Sequence, residues 1–238
     1  MRCVGFSTGA LAKGDFRLAL HMLEDKNVCA LELSALRQDE LLPLVEQLDN
    51  LNLSAFKYVS FHAPSSMTSS FEDQALEVLE QVARRSWPIV VHPDAMLTVP
   101  KWARLGDSLC IENMDKRKPI GQTASDLAKV FEVLPRASLC FDIGHARQVD
   151  PTMSEASEIL VSFREKIKQL HVSEVNSNSQ HDRLSFESVL AFRKVSHLIP
   201  SDVPVILESR VEELAIDEEV RNAIDALSKE SLLAVAGD

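Results

Sequence analysis

Six side chains able to bind a metal each close a short apolar run: His62 in YVSFHAP, His92 in PIVVHPD, Glu112 in LCIENM, Asp142 in LCFDIGHA, His171 in IKQLHVSE and Glu208 in VPVILESR. A run of four to six apolar residues is the mark of a buried strand. A carboxylate at the end of such a run is costly to bury unless it is paired or metal-bound. The same anomaly repeated strand after strand points to one shared site.

The six residues recur at intervals of roughly 20 to 40 positions, about one strand, one helix and two loops. In a closed parallel barrel the carboxyl ends of all strands meet on one face. Residues scattered along most of the chain then become neighbours in space. An open doubly wound sheet offers no comparable reason for ligand-type residues on strands three through eight.

Strand-like runs fall near 3–6, 29–33, 58–62, 88–92, 108–112, 138–142, 168–172 and 204–208, with amphipathic stretches between them. Ser69 with Glu72 reads as a capping box before QALEVLEQVARR, and Thr123 as the start of ASDLAKVFEVL before Pro135. The fourth helix, about Thr98 to Leu105, is short, and the last spans about Glu218 to Ala234. Eight strand–helix alternations predict an α/β fold, a (β/α)8 TIM barrel forming one domain over residues 1–238. No linker divides the chain.

The chain carries 25 Lys plus Arg against 36 Asp plus Glu, a net charge of −11 that opposes attraction to nucleic acid or anionic membranes. Duplex DNA is disfavoured as a partner. The segment from Met1-Arg2 into Cys3-Val4-Gly5-Phe6 holds no apolar stretch long enough for a signal peptide or membrane span, so a cytoplasmic protein without a membrane partner is expected. Cys3, Cys29, Cys110 and Cys140 show no CxxC pair and read as reduced core residues. Cys110 and Cys140 stand two positions before Glu112 and Asp142, so each shares a strand face with its acid.

DIGHA at 142–146, IEN at 111–113, HVSE at 171–174 and ILES at 206–209 occur in register with the eight strands. In that order they resemble the xylose isomerase-like barrel superfamily, which includes endonuclease IV and sugar isomerases and epimerases. The resemblance implies that Glu112, Asp142, His171 and Glu208 ligate one divalent cation, with Glu112 and Glu208 as the catalytic pair. It also implies that His62 and His92 hold a second metal bridged by Glu112. His145 matches a ligand of a third metal in endonuclease IV, and Asp182 a second. That family's Asp-Arg-His is Asp182-Arg183-Leu184 here, which leaves His181 as a substitute for the absent histidine. Oxygen plus imidazole ligation suits a divalent metal such as Zn, Mn, Fe, Co or Mg better than Ca²⁺.

Basic residues follow the ligand strands: Lys116, Arg117 and Lys118 after Glu112, Arg147 after His145, Arg183 after His171 and Arg210 after Glu208. They read either as counterions of the clustered acids or as contacts to an anionic substrate, a phosphate or carboxylate. Candidate substrate contacts are Arg183, His145, Arg147 and Lys116. Glu32 in LELSA reads as a substrate contact or as a cap of the barrel mouth, and His21 and His197 as surface residues.

Two chemistries follow. An isomerase or epimerase would use the four-ligand cation to acidify a C–H beside a carbonyl of a sugar, sugar phosphate or hydroxy-keto acid. A phosphoester hydrolase would use two or three metals. A non-catalytic metal-binding barrel is a third reading. Oligomeric state is not legible in the sequence.

Overall fold

The computed structural model of the chain describes residues 2–228. Its core is a closed, all-parallel barrel built from β1 (Val4–Ser7), β2 (Ala30–Ser34), β3 (Tyr58–His62), β4 (Ile89–Val91), β5 (Leu109–Glu112), β6 (Ser138–Asp142) and β7 (Ile167–Val172). A two-residue antiparallel hairpin, β8 (Glu174–Val175) with β9 (His181–Asp182), follows β7. The final barrel strand, β10 (Val205–Leu207), pairs with both β7 and β1 and closes the ring. The eight strands lie within two residues of the runs expected from sequence. His92 and Glu208 each stand one residue past their strand.

Helices α1 (Thr8–Ala12), α2 (Phe16–Met22), α3 (Gln38–Val45), α4 (Glu72–Ala83), α5 (Ala124–Val133), α6 (Ile143–Val149), α7 (Ser154–Ser162), α8 (Phe186–Ser196) and α9 (Ile216–Ala226) surround the barrel. The fold is thus a single-domain (β/α)8 TIM barrel. Between β4 and β5 the short helix expected at 98–105 is instead 3₁₀ structure over Val99–Ser108, opened by Pro100 and broken at Gly106, whose φ is 56°. Of the last helix expected at about 218–234, the part beyond 228 lies outside the described residues.

Alternation along the strands separates two environments. Phe6, Leu31, Leu33, Phe61, Ile89, Val91, Ile111, Phe141, Val172 and Leu207 belong to one continuous core shared with the helices. The intervening positions face the lumen, where Val90, Cys110 and Cys140 form only a small separate apolar cluster. Cys110 and Cys140 are free, buried thiols, as expected.

Local signals hold unevenly. Thr123 caps α5 by accepting from the Asp126 amide. The capping box at Ser69 and Glu72 does not form, because α4 begins at Glu72 itself. The Glu72 carboxylate instead spans to the next unit, accepting from the Thr98 amide at 2.8 Å and the Trp102 indole at 3.0 Å. That pairing satisfies the fully buried Trp102 in the core. Among the described residues no helix is long and apolar enough to cross a membrane.

Candidate active site

The barrel mouth gathers every strand-end residue singled out from sequence. His62 and His92 approach Glu112 Oε2 through their Nε2 atoms at 3.2 and 3.1 Å. On the other carboxylate oxygen, Glu112 Oε1 meets His171 Nδ1 at 3.1 Å and His145 Nδ1 at 3.4 Å. Glu112 is 1% exposed and bridges two halves of the cluster. His62 Nδ1 donates to the Ala63 carbonyl at 2.7 Å, which aims Nε2 at the cluster.

Asp142 both ends β6 and caps α6: its Oδ1 accepts from the His145 amide at 2.6 Å. The other oxygen, Oδ2, is buried with no hydrogen-bond partner. Asn113, part of the IEN motif, links the ends of β5 and β6 twice, donating to the Asp142 carbonyl and accepting from the Asp142 amide, both at 2.8 Å. Gly144 lets α6 pass close to the following strand, since a Cβ there would lie 2.4 Å from the Ser173 carbonyl oxygen.

Glu208 borders the cavity, with Oε2 3.6 Å from His171 Nδ1 and 3.3 Å from His181 Nδ1. The β8–β9 hairpin brings His181 into place, and Ser173 Oγ steadies its Nδ1 at 2.8 Å. Ligand-capable atoms converge within 4.8 Å in three adjoining sets: Glu112, Asp142, His171 and Glu208; His62, His92 and Glu112; and Asp142, His145 and His181. A fourth set, Glu32, His62 and Glu208, overlaps these.

Electrostatics match this crowding. Burial and the repulsion of Glu112 push Asp142 up to about 6 against the pull of His145. Burial, together with Glu112, Asp142 and Glu32, pushes Glu208 up to about 7 although His171 opposes it. Burial would raise Glu112 as well, but His171, His92 and His62 hold it well below the usual carboxylate range. Burial and the neighbouring His145 lower His181 to about 3. Several buried acids with no Lys or Arg among them, one with an orphaned oxygen aimed into the cluster, form a donor set suited to a divalent cation.

Above the cluster opens a cavity of about 410 Å³ whose wall includes His145, His181, Glu208, Arg117, Lys118 and Arg210. Three basic residues expected at the substrate lie elsewhere. Arg147 is held by Glu174 at 3.2 Å, and Arg183 by Glu218 at 2.8 Å, while Lys116 is exposed beside the wall. Asp182 points away from the cluster and accepts from Asn176 at 2.7 Å, so of the HDR tripeptide His181 alone reaches the site. Arg147 and Asp182 instead brace the hairpin that carries His181. Glu32 does not end β2, which continues to Ser34; register sets Glu32 level with Ser60, one inward layer below His62. It is fully buried and does not line the cavity at the mouth. His21 and His197 are on the surface. Sequence reading passed over Ser173 and assigned no role to Asn113, although HVSE and IEN contain them.

No family model matches the chain, and no curated protein matches it in sequence. Solved structures do match in fold. A xylose isomerase domain protein from Alicyclobacillus acidocaldarius aligns with a TM-score of 0.66 at 12% identity, covering 94% of this chain and 97% of that one. A 3-keto-D-glucoside 4-epimerase from E. coli aligns with a TM-score of 0.57 at 13% identity over 93% and 98%. A xylose isomerase-like TIM barrel protein from Mycobacterium smegmatis, in complex with magnesium, gives 0.56 at 12% identity over 92% of each chain. The chain has the fold of the xylose isomerase-like TIM barrels.

Proposed function

We propose that the protein is a divalent-metal-dependent isomerase or epimerase acting on a sugar, sugar phosphate or hydroxy-keto acid. The observation that carries this reading is the convergence of Glu112, Asp142, His171 and Glu208 at the floor of an open cavity. The sugar-epimerising and xylose isomerase-like proteins of the same fold support it. These four residues would hold the cation, which when bound supplies polarisation of a substrate carbonyl and so acidifies the adjacent C–H.

Glu208 borders the cavity and takes the proton from the face it lines, while Glu112, the other member of the pair that the family resemblance makes catalytic, returns one. His145 and His181 orient substrate oxygens from the wall. The basic residues suited to an anionic substrate group are Arg117, Lys118 and Arg210. Arg117 is engaged by Asp115 and Lys118 by Asp94, whereas Arg210 has no carboxylate partner among the described residues. Arg210 therefore anchors a phosphate or carboxylate of the substrate.

The test is exchange of solvent deuterium into a panel of ketoses, ketose phosphates and hydroxy-keto acids with Mn²⁺ or Mg²⁺ present. Incorporation at the carbon beside the carbonyl, lost in Glu208→Gln, is expected. A panel that shows no exchange while phosphoesters are cleaved would replace this reading with a second one. That second reading, a two- or three-metal phosphoester hydrolase, is favoured by the flanking sets around His62 and His92 and around His181. Its substrate would be smaller than duplex DNA, given the net charge of −11.

A further inference from the structure

Below the mouth, the lumen holds a chain of buried polar groups that the proposed chemistry does not use. The Tyr58 hydroxyl donates to Gln169 Oε1 at 2.6 Å, which fixes the side-chain amide of Gln169 in one orientation. The Gln169 Nε2 group then faces Glu32 Oε2 at 2.8 Å and Cys140 Sγ at 3.5 Å, so both of its hydrogens are used. Ser60 Oγ donates to the same Glu32 oxygen at 3.1 Å. His171 Nε2 lies 3.1 Å from Glu32 Oε2 and 2.9 Å from Gln169 Nε2.

Two nitrogens at 2.9 Å cannot both direct hydrogens at each other, and the hydrogens of Gln169 are already taken. The assignment that leaves no clash has His171 Nε2–H donating to Glu32. The other ring nitrogen, Nδ1, faces Glu112 Oε1 and Glu208 Oε2 at 3.1 and 3.6 Å; it donates to Glu112 in the metal-free protein and is the nitrogen left to ligate a cation once that proton is lost. Ligation of a cation needs a neutral imidazole with Nδ1 free, and a carboxylate behind the ring is the arrangement that keeps the remaining proton on Nε2.

We infer that Glu32 is the positioning residue of the metal centre, holding His171 in its Nε2–H tautomer and ring orientation from beneath the cation, with Tyr58 and Gln169 fixing Glu32 in turn. The inference rests on the metal-centre reading above. It places Glu32 behind His171 rather than against substrate: Glu32 and His171 are both 0% exposed, and Glu32 stands one layer below His62 in the strand register.

The test is calorimetric titration of chelator-stripped protein with Mn²⁺, comparing the unaltered chain with Glu32→Gln and Tyr58→Phe. Glu32→Gln puts an amide where the carboxylate stood, and its N–H can donate to Nε2 and force the proton onto Nδ1. Mn²⁺ affinity should fall about 10- to 100-fold, with circular dichroism unchanged. Tyr58→Phe, which only loosens Gln169, should lower affinity less and keeps the inference testable if Glu32→Gln does not fold. In ¹⁵N-labelled protein loaded with Zn²⁺, one imidazole Nε2–H resonance should be protected from exchange and vanish in Glu32→Gln. If the unaltered chain binds Mn²⁺ and both variants bind it equally well, the inference is overturned and the metal centre stands. If the unaltered chain binds no Mn²⁺ or Zn²⁺, the metal-centre reading itself fails.

Discussion

The two faces of the same eight strands behave as different proteins. Outward, Phe61, Ile111, Phe141 and Val172 pack against helices in one continuous apolar core. Inward, Glu32, Ser60, His62, Glu112, Asp142, Gln169 and His171 are all buried and all polar. One face supplies burial free energy, and the other consumes part of it by desolvating charge. Stability and chemistry are thus separated by one residue along each strand, which is a sharp claim about neighbours such as Phe141 and Asp142.

Exchanging neighbours should break that separation if it is wrong. Glu208→Gln should cut turnover by about 10²- to 10⁴-fold, the range for loss of a positioned acid or base, while the stripped protein loses no thermal stability near neutral pH, because a carboxyl pushed up to about 7 is a cost to the fold there. Phe141→Ala, whose side chain is fully buried in the outer core, should cost about 3–5 kcal/mol by chemical denaturation. The fraction that remains folded should still bind the cation normally. A Phe141→Ala protein of undiminished stability would contradict the division.

The next effect is smaller and confined to the seam between helix and strand. Glu72→Ala strips the buried Trp102 indole and the Thr98 amide of their acceptor and should cost about 1–3 kcal/mol, with Mn²⁺ affinity unaltered. Gly144→Ala should do both: its Cβ would displace the Ser173 carbonyl, destabilising the fold and shifting the His145 and His181 pair.

The inward face should also respond to pH in protein stripped of metal. Asp142 is raised to about 6 from an ordinary 3.8, so the folded state holds its proton more tightly than the unfolded state. The stability this contributes is present below the unfolded value and is lost as pH rises through the folded one. Asp142→Asn should therefore be more stable than the unaltered chain near neutral pH, and the two should converge on acidification to about pH 4. Equal melting temperatures at neutral pH would contradict the crowding of acids described here. Smallest of all, Arg183→Ala should leave turnover within about twofold, as its ion pair with Glu218 lies on the surface. Arg210→Ala should raise KM for an anionic substrate with kcat little changed.

The division also explains what the sequence made legible. A buried parallel strand reads as an unbroken apolar run, so the acid or histidine at its end stands out; His62, His92, Glu112, Asp142, His171 and Glu208 were visible for that reason. Position within the lumen was less visible. Glu32 looks like a strand end in LELSA, but β2 runs two residues further, and the register with β3 drops it one layer. Basic residues on loops were the least legible. Arg147, Arg183 and Arg210 have similar sequence surroundings, and only the partners provided by distant elements, Glu174 and Glu218, decide which two turn away. His181 needed the β8–β9 hairpin, whose turn is held by Gln148 and the Asn176 carbonyl.

The central claim is that the inward face is a metal centre. Its most direct test is metal content per chain, by elemental analysis of protein purified without added metal or chelator, for the unaltered chain and Asp142→Asn. The account predicts about one or more equivalents of a divalent metal, markedly reduced in Asp142→Asn while the protein stays folded. No divalent metal in the unaltered chain, and none acquired on titration with Mn²⁺, Zn²⁺ or Mg²⁺, would contradict it.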